Sequence, residues 1–358
     1  MNSKKWTLTL LSLTLIIVIL FGALTYCLDP LLQYGPDRGA LTYRHYSEIY
    51  CNPGIAKNYR YNAVFLGSSM VENANVSELD DLLNCKTVKL PYSGGSSYNH
   101  KHILDVCYQS GNTIDKVFWA LDEYAFTTDK DTPRYPLPEY LYDQNRINDL
   151  SYLLNLDIFY FYTIKSAIGT LQNRNEILMR DGSWNTDESL YNRANALAAV
   201  SYPLPESSSQ GKDYYAKTLN ENLNYNILPF IEEHPETEFY FYMVPYSISY
   251  WYMCKQNGKL EAEINIIETV AETLLQYDNV RLFFFQDEKE LITNLDNYRD
   301  HTHFKPAINS YMSHQIANGQ NQLRIENYKQ RIESFYQYLA EFDYDAFYHE
   351  QYSQIGKD

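Results

Sequence analysis

The sequence predicts an α/β protein built on a parallel sheet and preceded by one N-terminal transmembrane helix. Three observations carry this. Short apolar runs recur at Ala63–Leu66, Thr87–Leu90, Lys116–Leu121, Glu238–Val244 and Asn279–Phe285. Segments with apolar residues at helical spacing separate them, and strands alternating with helices at that interval indicate βαβ units. The first run ends at Gly67-Ser-Ser69, a strand-to-helix turn of the kind that exposes a side chain at the C-terminal edge of a sheet. Finally, Trp6 to Tyr26 is an uncharged run of apolar and hydroxyl-bearing residues. At ~1.5 Å per residue it is long enough to cross a ~30 Å hydrocarbon core.

In order along the chain, residues 1–28 read as a short cytoplasmic end and a single-pass signal anchor. Lys4 and Lys5 precede the apolar run and favour keeping that end in the cytoplasm, with the remainder exported. A cleaved signal peptide is the rival, but the run is long for one and no small-x-small site follows. Tyr26 before Cys27 fits a lipoprotein poorly. Residues 29–60, opened by Asp29-Pro30 and scattered with Gly, Pro, Tyr and Arg, read as a linker lying on the domain. The α/β domain runs over 61–319. Helices are expected at Ser77–Leu83, Tyr98–Cys107, Gly211–Glu233, Lys259–Leu275, Asp287–Leu295 and Ala307–Ala317, and one opening at Met70. The rhythm stops from about 127 to 210, where Pro133, Pro136, Pro138, the Phe159–Tyr162 patch, Asp181-Gly182 and Trp184 suggest an insertion covering the sheet edge. Residues 320–358 form a polar, Tyr-rich helical tail.

With 358 residues the chain can bury one large core, or one core with an insertion. A net charge of −16 leaves no basic surface for a nucleic-acid partner. The 36 tyrosines suit sugar stacking or a membrane interface, and compositional bias accounts for them equally well. Among five cysteines there is no C-x-x-C pair, which argues against a zinc ribbon or a thioredoxin-type site. Cys85 and Cys107 are the exported pair nearest in sequence, though spacing alone does not establish a bond.

Chemistry concentrates at Ser69 and at Asp300-His-Thr-His303. A serine hydroxyl is a weak nucleophile until a neighbouring base takes its proton. A histidine does this near neutral pH, and a carboxylate fixes its tautomer. Ser69 after the first strand and Asp300-x-x-His303 after the last can reach the same sheet edge. Without that partner, Ser68 and Ser69 are an ordinary helix cap. His301 is the alternative base, and the two histidines with Asp300 are a metal-site alternative. His100 and His102 stand beside the second loop, as pocket residues or as a solvated helix start. Glu72 suits a first helical turn. Trp184 and the Phe159–Tyr162 patch suit sugar stacking or insertion packing.

On Gly67-Ser68-Ser69, Gly94 in Ser93-Gly94-Gly95, and Asp300-x-x-His303, the sequence resembles the SGNH (GDSL-like) hydrolase superfamily. Asp29-Pro30, Leu66-Gly-Ser-Ser-Met70 and Asp300-x-x-His-Phe-x-Pro-x-x-Asn309 are similar to its membrane-anchored bacterial branches. Those include polysaccharide O-acetylation proteins and the D-alanyl-transfer protein of teichoic-acid modification. The resemblance covers about Tyr61 to Ile316 and implies a three-layer α/β/α, flavodoxin-like sandwich. It implies Ser69 as nucleophile, His303 as base and Asp300 as its orienting partner, with the backbone N–H groups of Ser69 and Gly94 as oxyanion hole. Ser68, Gly95, Asp122 and His301 would be supporting or substrate-contacting residues. Two positions depart from the family pattern. Ser68 stands where Asp is usual, and Asp122 stands near the place of an oxyanion-binding Asn. An ionised carboxylate there repels an oxyanion, so Asp122 must be turned away, protonated or otherwise engaged.

The expectation is an exported, membrane-tethered O-acetyltransferase or O-acetylesterase acting on a cell-envelope or secreted glycan. It needs no diffusible cofactor and no metal. A transferase outside the cytoplasm would need its acyl groups delivered, and the resemblance implies a membrane-bound O-acyltransferase as that partner. The alternatives are a non-catalytic glycan-binding or assembly protein on the same fold, and D-alanyl transfer to teichoic acid.

Overall fold

The structure, a computed structural model, describes residues 3–174 and 187–355. Asp181-Gly182 and Trp184 lie outside the described residues. The chain forms two compact units. One comprises residues 3–60, 102–112 and 136–174, and the other 61–101, 113–135 and 187–355.

The second unit holds one sheet of six strands: β1 (Ala63–Gly67), β2 (Thr87–Pro91), β3 (Lys116–Leu121), β4 (Glu238–Met243), β5 (Val280–Phe284) and β6 (Gln322–Leu323). Their order is β2-β1-β3-β4-β5-β6. The first five are parallel, and each lies within two residues of an apolar run in the sequence. Strands covered on both faces read as continuous rather than alternating apolar runs. Accordingly Val64, Leu66, Trp119, Phe241 and Leu282 are all buried, with Leu66 in register with Leu90 on one side and Trp119 on the other. β6 corrects the all-parallel expectation: it pairs antiparallel with β5, so the sheet is mixed. After the Pro306–Ala317 helix the chain reverses through Gly319 and Asn321, both at positive φ, and returns along the sheet edge. A two-residue strand is too short for any periodicity to announce it.

Helix α3 (Val76–Leu83) is capped by Asn75, whose Oδ1 accepts from the Ser77 N–H, and ends at left-handed Asn84. The helix expected to open at Met70 is one 3-10 turn, Ser69–Val71. The long helix expected over 211–233 is interrupted. Ala216–Asn222 and Leu228–Glu233 flank a π-helical turn at Leu223–Ile227. Pro229 has no N–H to continue the ladder, so the register slips ahead of it. The tail is helical as expected, at Tyr328–Glu341 and Tyr344–Gln354, and buries Phe335, Leu339 and Tyr348. Strand order reverses direction between β1 and β3. In open α/β sheets the crevice outside the strand C-termini at such a point is where ligands bind, and Ser69 and Asp122 both follow strands that end there.

In the first unit, α1 (Ser3–Leu28) is one unbroken helix, long and apolar enough to span a membrane. The segment read as a linker is more ordered than expected, with helix α2 (Glu48–Asn58) inside it and Leu31, Leu32, Leu41, Ile55 and Ala56 buried. Asp29 is its anchor. Its carboxylate accepts from the N–H groups of Gln33 (2.9 Å) and Tyr34 (2.8 Å) and from the Tyr152 hydroxyl (2.9 Å). A Cβ at Gly54 would meet the backbone of Leu31 and Leu32, so α2 packs closer than any side chain permits. All five cysteines are free thiols, so no bond joins Cys85 to Cys107.

Candidate active site

Ser69 sits on a turn held from several directions. A side chain at Gly67 would overlap Val71 and Ala120, so only glycine lets the turn fold this tightly over β3. The Ser68 hydroxyl accepts from the Met70 N–H at 3.3 Å. Asn309 Nδ2 donates to the Met70 carbonyl at 3.2 Å. Lys89, buried on β2, donates to the carbonyls of Glu72 (2.8 Å) and Ala74 (2.7 Å). Because the turn is a single 3-10 turn and α3 begins only at Val76, the positive end of a long helix does not sit under Ser69. The position of Ser69 is set by these side-chain ties instead.

The Asp300 loop brings His303 to it. Tyr298 and Phe304 pair as an isolated antiparallel bridge, and the Tyr298 hydroxyl donates to the Pro245 carbonyl at 2.9 Å. Between them, Asp300 Oδ1 accepts from the N–H groups of Thr302 (2.9 Å) and His303 (2.7 Å). Its Oδ2 is 2.8 Å from His303 Nδ1, and His303 Nε2 is 2.8 Å from Ser69 Oγ. With the Nδ1 proton committed to the carboxylate, Nε2 is the acceptor and the serine hydroxyl donates. Burial alone would raise the Asp300 carboxyl. The hydrogen bond and charge of His303 and the two backbone N–H groups outweigh it and hold the carboxyl well below the usual range.

Across from Ser69, Gly94 adopts a left-handed conformation. Ser93 hydrogen-bonds the Glu72 carboxylate, tying this loop to the turn after Ser69. Glu72 therefore links two loops rather than opening a helix. Among the described residues no hydrogen bond engages the N–H of Ser69 or of Gly94, and both residues line one cleft of about 550 Å³. A side chain at Gly94 would overlap the Arg134 guanidinium, which lies against it on the cleft wall. Gly95 does not line the cleft. Its N–H donates to the Tyr92 carbonyl, and a Cβ there would meet Tyr92, so it serves the turn.

Asp122 lies in the cleft wall, buried, with Oδ1 accepting from the Tyr246 hydroxyl at 2.6 Å. Burial raises its carboxyl. The Ser68 hydroxyl and amide, the Tyr246 hydroxyl and the charge on His303 pull the other way without cancelling it. A protonated or hydroxyl-bound acid does not repel an oxyanion as a free carboxylate does. Asp122→Asn, a neutral isostere, is thus expected to keep turnover within a few-fold of wild type. Asp122→Ala strips the Tyr246 hydroxyl of its acceptor and should cost about 1–3 kcal/mol in denaturant unfolding.

Near Asp122 lie two more buried acids, Glu123, held by Gln286, and Glu263, which lines the same cleft. Burial pushes Glu263 up to about 7, against the opposing pull of Lys259 and Tyr250. A carboxyl raised in the fold keeps its proton where the unfolded chain has lost it. Its effect is therefore a stability loss that grows from pH 4.5, its ordinary value, to about 7 and is constant above. Glu263→Gln should raise the melting temperature at pH 8 and leave it unchanged at pH 4. A pH-independent effect would count against a buried neutral acid.

The remaining sequence candidates separate cleanly. The His301 ring lines the cleft but stacks on Tyr250 (centroids 6.5 Å, planes 5° apart), while its carbonyl accepts from Ser247. His303, and not His301, meets Ser69. Burial lowers the His301 pKa. His100 is neither solvated nor a cleft residue. It is buried, accepts from Trp119 Nε1 at 3.2 Å through Nδ1, and burial lowers its pKa to about 4. Among the described residues no three His, Cys, Asp or Glu side chains converge as a metal site.

Arg134, Tyr246, Tyr250, Lys259 and Glu263 also line the cleft and were missed in the sequence. Tyr246 stands just beyond β4, where strand-end logic points to the site. Arg134, within Thr132-Pro-Arg-Tyr-Pro136, carries no such signal. A scan against protein-family models, a search of curated proteins and a search of solved structures each return no match to this chain.

Proposed function

We propose that this chain is an exported, membrane-tethered serine acyl-transfer enzyme of SGNH type, with a three-layer α/β/α arrangement around its sheet. It would take an acyl group, acetyl first among the candidates, onto Ser69 and either pass it to a hydroxyl of a cell-envelope or secreted glycan or, as an esterase, remove it from one. The observation that carries the reading is the hydrogen-bonded chain Ser69–His303–Asp300, both links 2.8 Å. In the first half-reaction Ser69 Oγ attacks the acyl carbonyl while His303 Nε2 takes the hydroxyl proton. The oxyanion of the tetrahedral intermediate accepts from the N–H groups of Ser69 and Gly94. Collapse breaks the bond to the leaving alcohol, which takes the proton back from His303, and leaves an acyl ester on Ser69. In the second, His303 deprotonates a sugar hydroxyl or water, which attacks that ester; collapse breaks the bond to Ser69 Oγ, which takes the proton back from His303. Transfer and hydrolysis differ only in the second acceptor. Lys4 and Lys5, in the first turn of α1, support a cytoplasmic N-terminus, and delivery of acyl groups by a membrane-bound O-acyltransferase follows from the family resemblance.

The test is a fluorophosphonate probe on the full-length chain in detergent micelles, read beside p-nitrophenyl acetate turnover. Wild type should label and release p-nitrophenol, and Ser69→Ala should do neither. Folded wild type that resists the probe, or a Ser69→Ala variant that labels equally, sinks the proposal.

A further inference from the structure

Beyond α1, ten leucine, isoleucine and phenylalanine side chains are exposed among the described residues, and seven of them fall between positions 147 and 171. Ile147 is 86% exposed, Leu171 82%, Leu156 74% and Tyr160 60%. Isolated exposed apolar residues are ordinary, but a concentration of this kind marks an interaction surface. The segment comprises a short helix at Leu150–Leu153, a π-helical stretch at Ile158–Ile164 and a helix at Lys165–Leu171. Tyr152, Ile158, Thr163 and Ser166 are buried and pack the segment in place, while the seven apolar side chains stay outside that packing, and the exposed Tyr160 and Phe161 rings meet at 86° rather than as one flat platform.

What covers it follows from its position on α1. The rings of Phe159 and Phe21 are 4.2 Å apart, and a Cβ on Gly22 would lie 3.2 Å from Leu154. Tyr152 is pinned to Asp29 just past the end of the same helix. Gly22 precedes Asp29 by seven residues, so from Tyr152 to Leu154 and Phe159 the segment descends about 10 Å along α1, at ~1.5 Å per residue. That depth is within the apolar run of α1 and matches interfacial segments, which sink ~5–10 Å into the headgroup and acyl boundary. Asp157 and Lys165 are exposed on the segment, and Lys165 lies over the Phe161 ring at 4.6 Å. Such charges suit a position where side chains reach headgroups, not a second crossing.

We infer that residues 147–171 are a second membrane-contacting element, an interfacial segment whose apolar side chains sit in the lipid boundary around the C-terminal end of α1. This does not depend on the catalytic reading. The bilayer is the occupant because the exposed side chains continue the apolar surface of α1 itself.

The test uses the unmodified full-length chain in phosphatidylcholine vesicles doped with a phosphatidylcholine bearing a diazirine on its acyl chain. After irradiation and digestion, lipid adducts are mapped by mass spectrometry, with α1 peptides as the lipid-facing reference and the Tyr328–Glu341 helix as the water-facing one. Adducts on 147–171 at a level comparable with α1 are expected. Adducts on α1 alone, with 147–171 no higher than the Tyr328–Glu341 peptide, overturn the inference. A nitroxide at Leu156→Cys or Leu171→Cys, in a chain whose five native cysteines are serine, gives an independent reading. Relaxation by oxygen in preference to a water-soluble nickel chelate supports lipid contact. Relaxation by nickel, or by neither because protein covers the site, overturns it.

Discussion

Ester turnover should fall by about three to six orders of magnitude in Ser69→Ala, and by a similar factor in His303→Ala. In the proposed mechanism the two groups act as one unit: the hydroxyl would be activated only by Nε2, 2.8 Å away, accepting its proton. Removing either leaves the other with nothing to do, so the double variant should be no slower than the worse single one. His301→Ala provides the contrast. Its ring stacks on Tyr250 and makes no bond to Ser69, so turnover should stay within a few-fold of wild type. Ser69 is only partly buried, and its truncation should cost no more than about 1 kcal/mol of stability. A melting curve therefore separates lost chemistry from lost fold. The deciding measurement is kcat/KM for p-nitrophenyl acetate across the four variants. His303→Ala at wild-type rate would refute the assignment of the base.

Legibility in the sequence tracked how local the physics is. The five parallel strands were readable because burial on both faces writes a continuous apolar run into each one, as in Val117–Leu121. Ser69 and Asp300-x-x-His303 were readable because a serine–histidine–carboxylate chain needs those residue types at the ends of strands that share one sheet edge. The turn beneath Ser69 was not. It depends on Lys89 and Asn309, far apart in sequence, reaching carbonyls of residues 70–74. A buried lysine on a strand looks like a polar interruption until its acceptors are known. The ordered 29–60 segment failed for a similar reason. Pro53 and Gly54 read as breakers, yet Gly54 is there because α2 lies against the backbone at Leu31 and Leu32. The Phe159–Tyr162 patch was weighed as core packing or as a sugar platform. Phe159 packs on Phe21 and Tyr162 on Tyr50 and His45, while Tyr160 and Phe161 are exposed, so the patch packs in part and leaves two rings outside that packing. Composition alone does not say which apolar surface faces lipid.

Asp300→Asn should nearly abolish turnover with the serine and the imidazole both still in place. Asp300 makes two kinds of bond at once. Oδ1 receives two backbone N–H groups that shape the loop, and Oδ2 receives the His303 Nδ1 proton. An asparagine can satisfy only one side. If its oxygen stays on the backbone N–H groups, its NH2 faces Nδ1, which must then accept. The ring proton moves to Nε2, and Ser69 meets a donor where it needs a base. A loss of about four orders of magnitude in kcat is the scale expected for a wrong tautomer. If instead the amide turns over, the two backbone N–H groups lose an acceptor and the loop loosens. Stability distinguishes these effects from a general collapse. The folded carboxyl lies below its ordinary value of 3.8. Its contribution is thus fully present above that pH and disappears as pH falls through the lower folded value. The melting-temperature gap between wild type and Asp300→Asn should be widest near neutral pH and narrow below about pH 4. An Asp300→Asn enzyme with wild-type kcat would show that His303 takes its orientation from the loop backbone alone, and Asp300 would drop out of the mechanism.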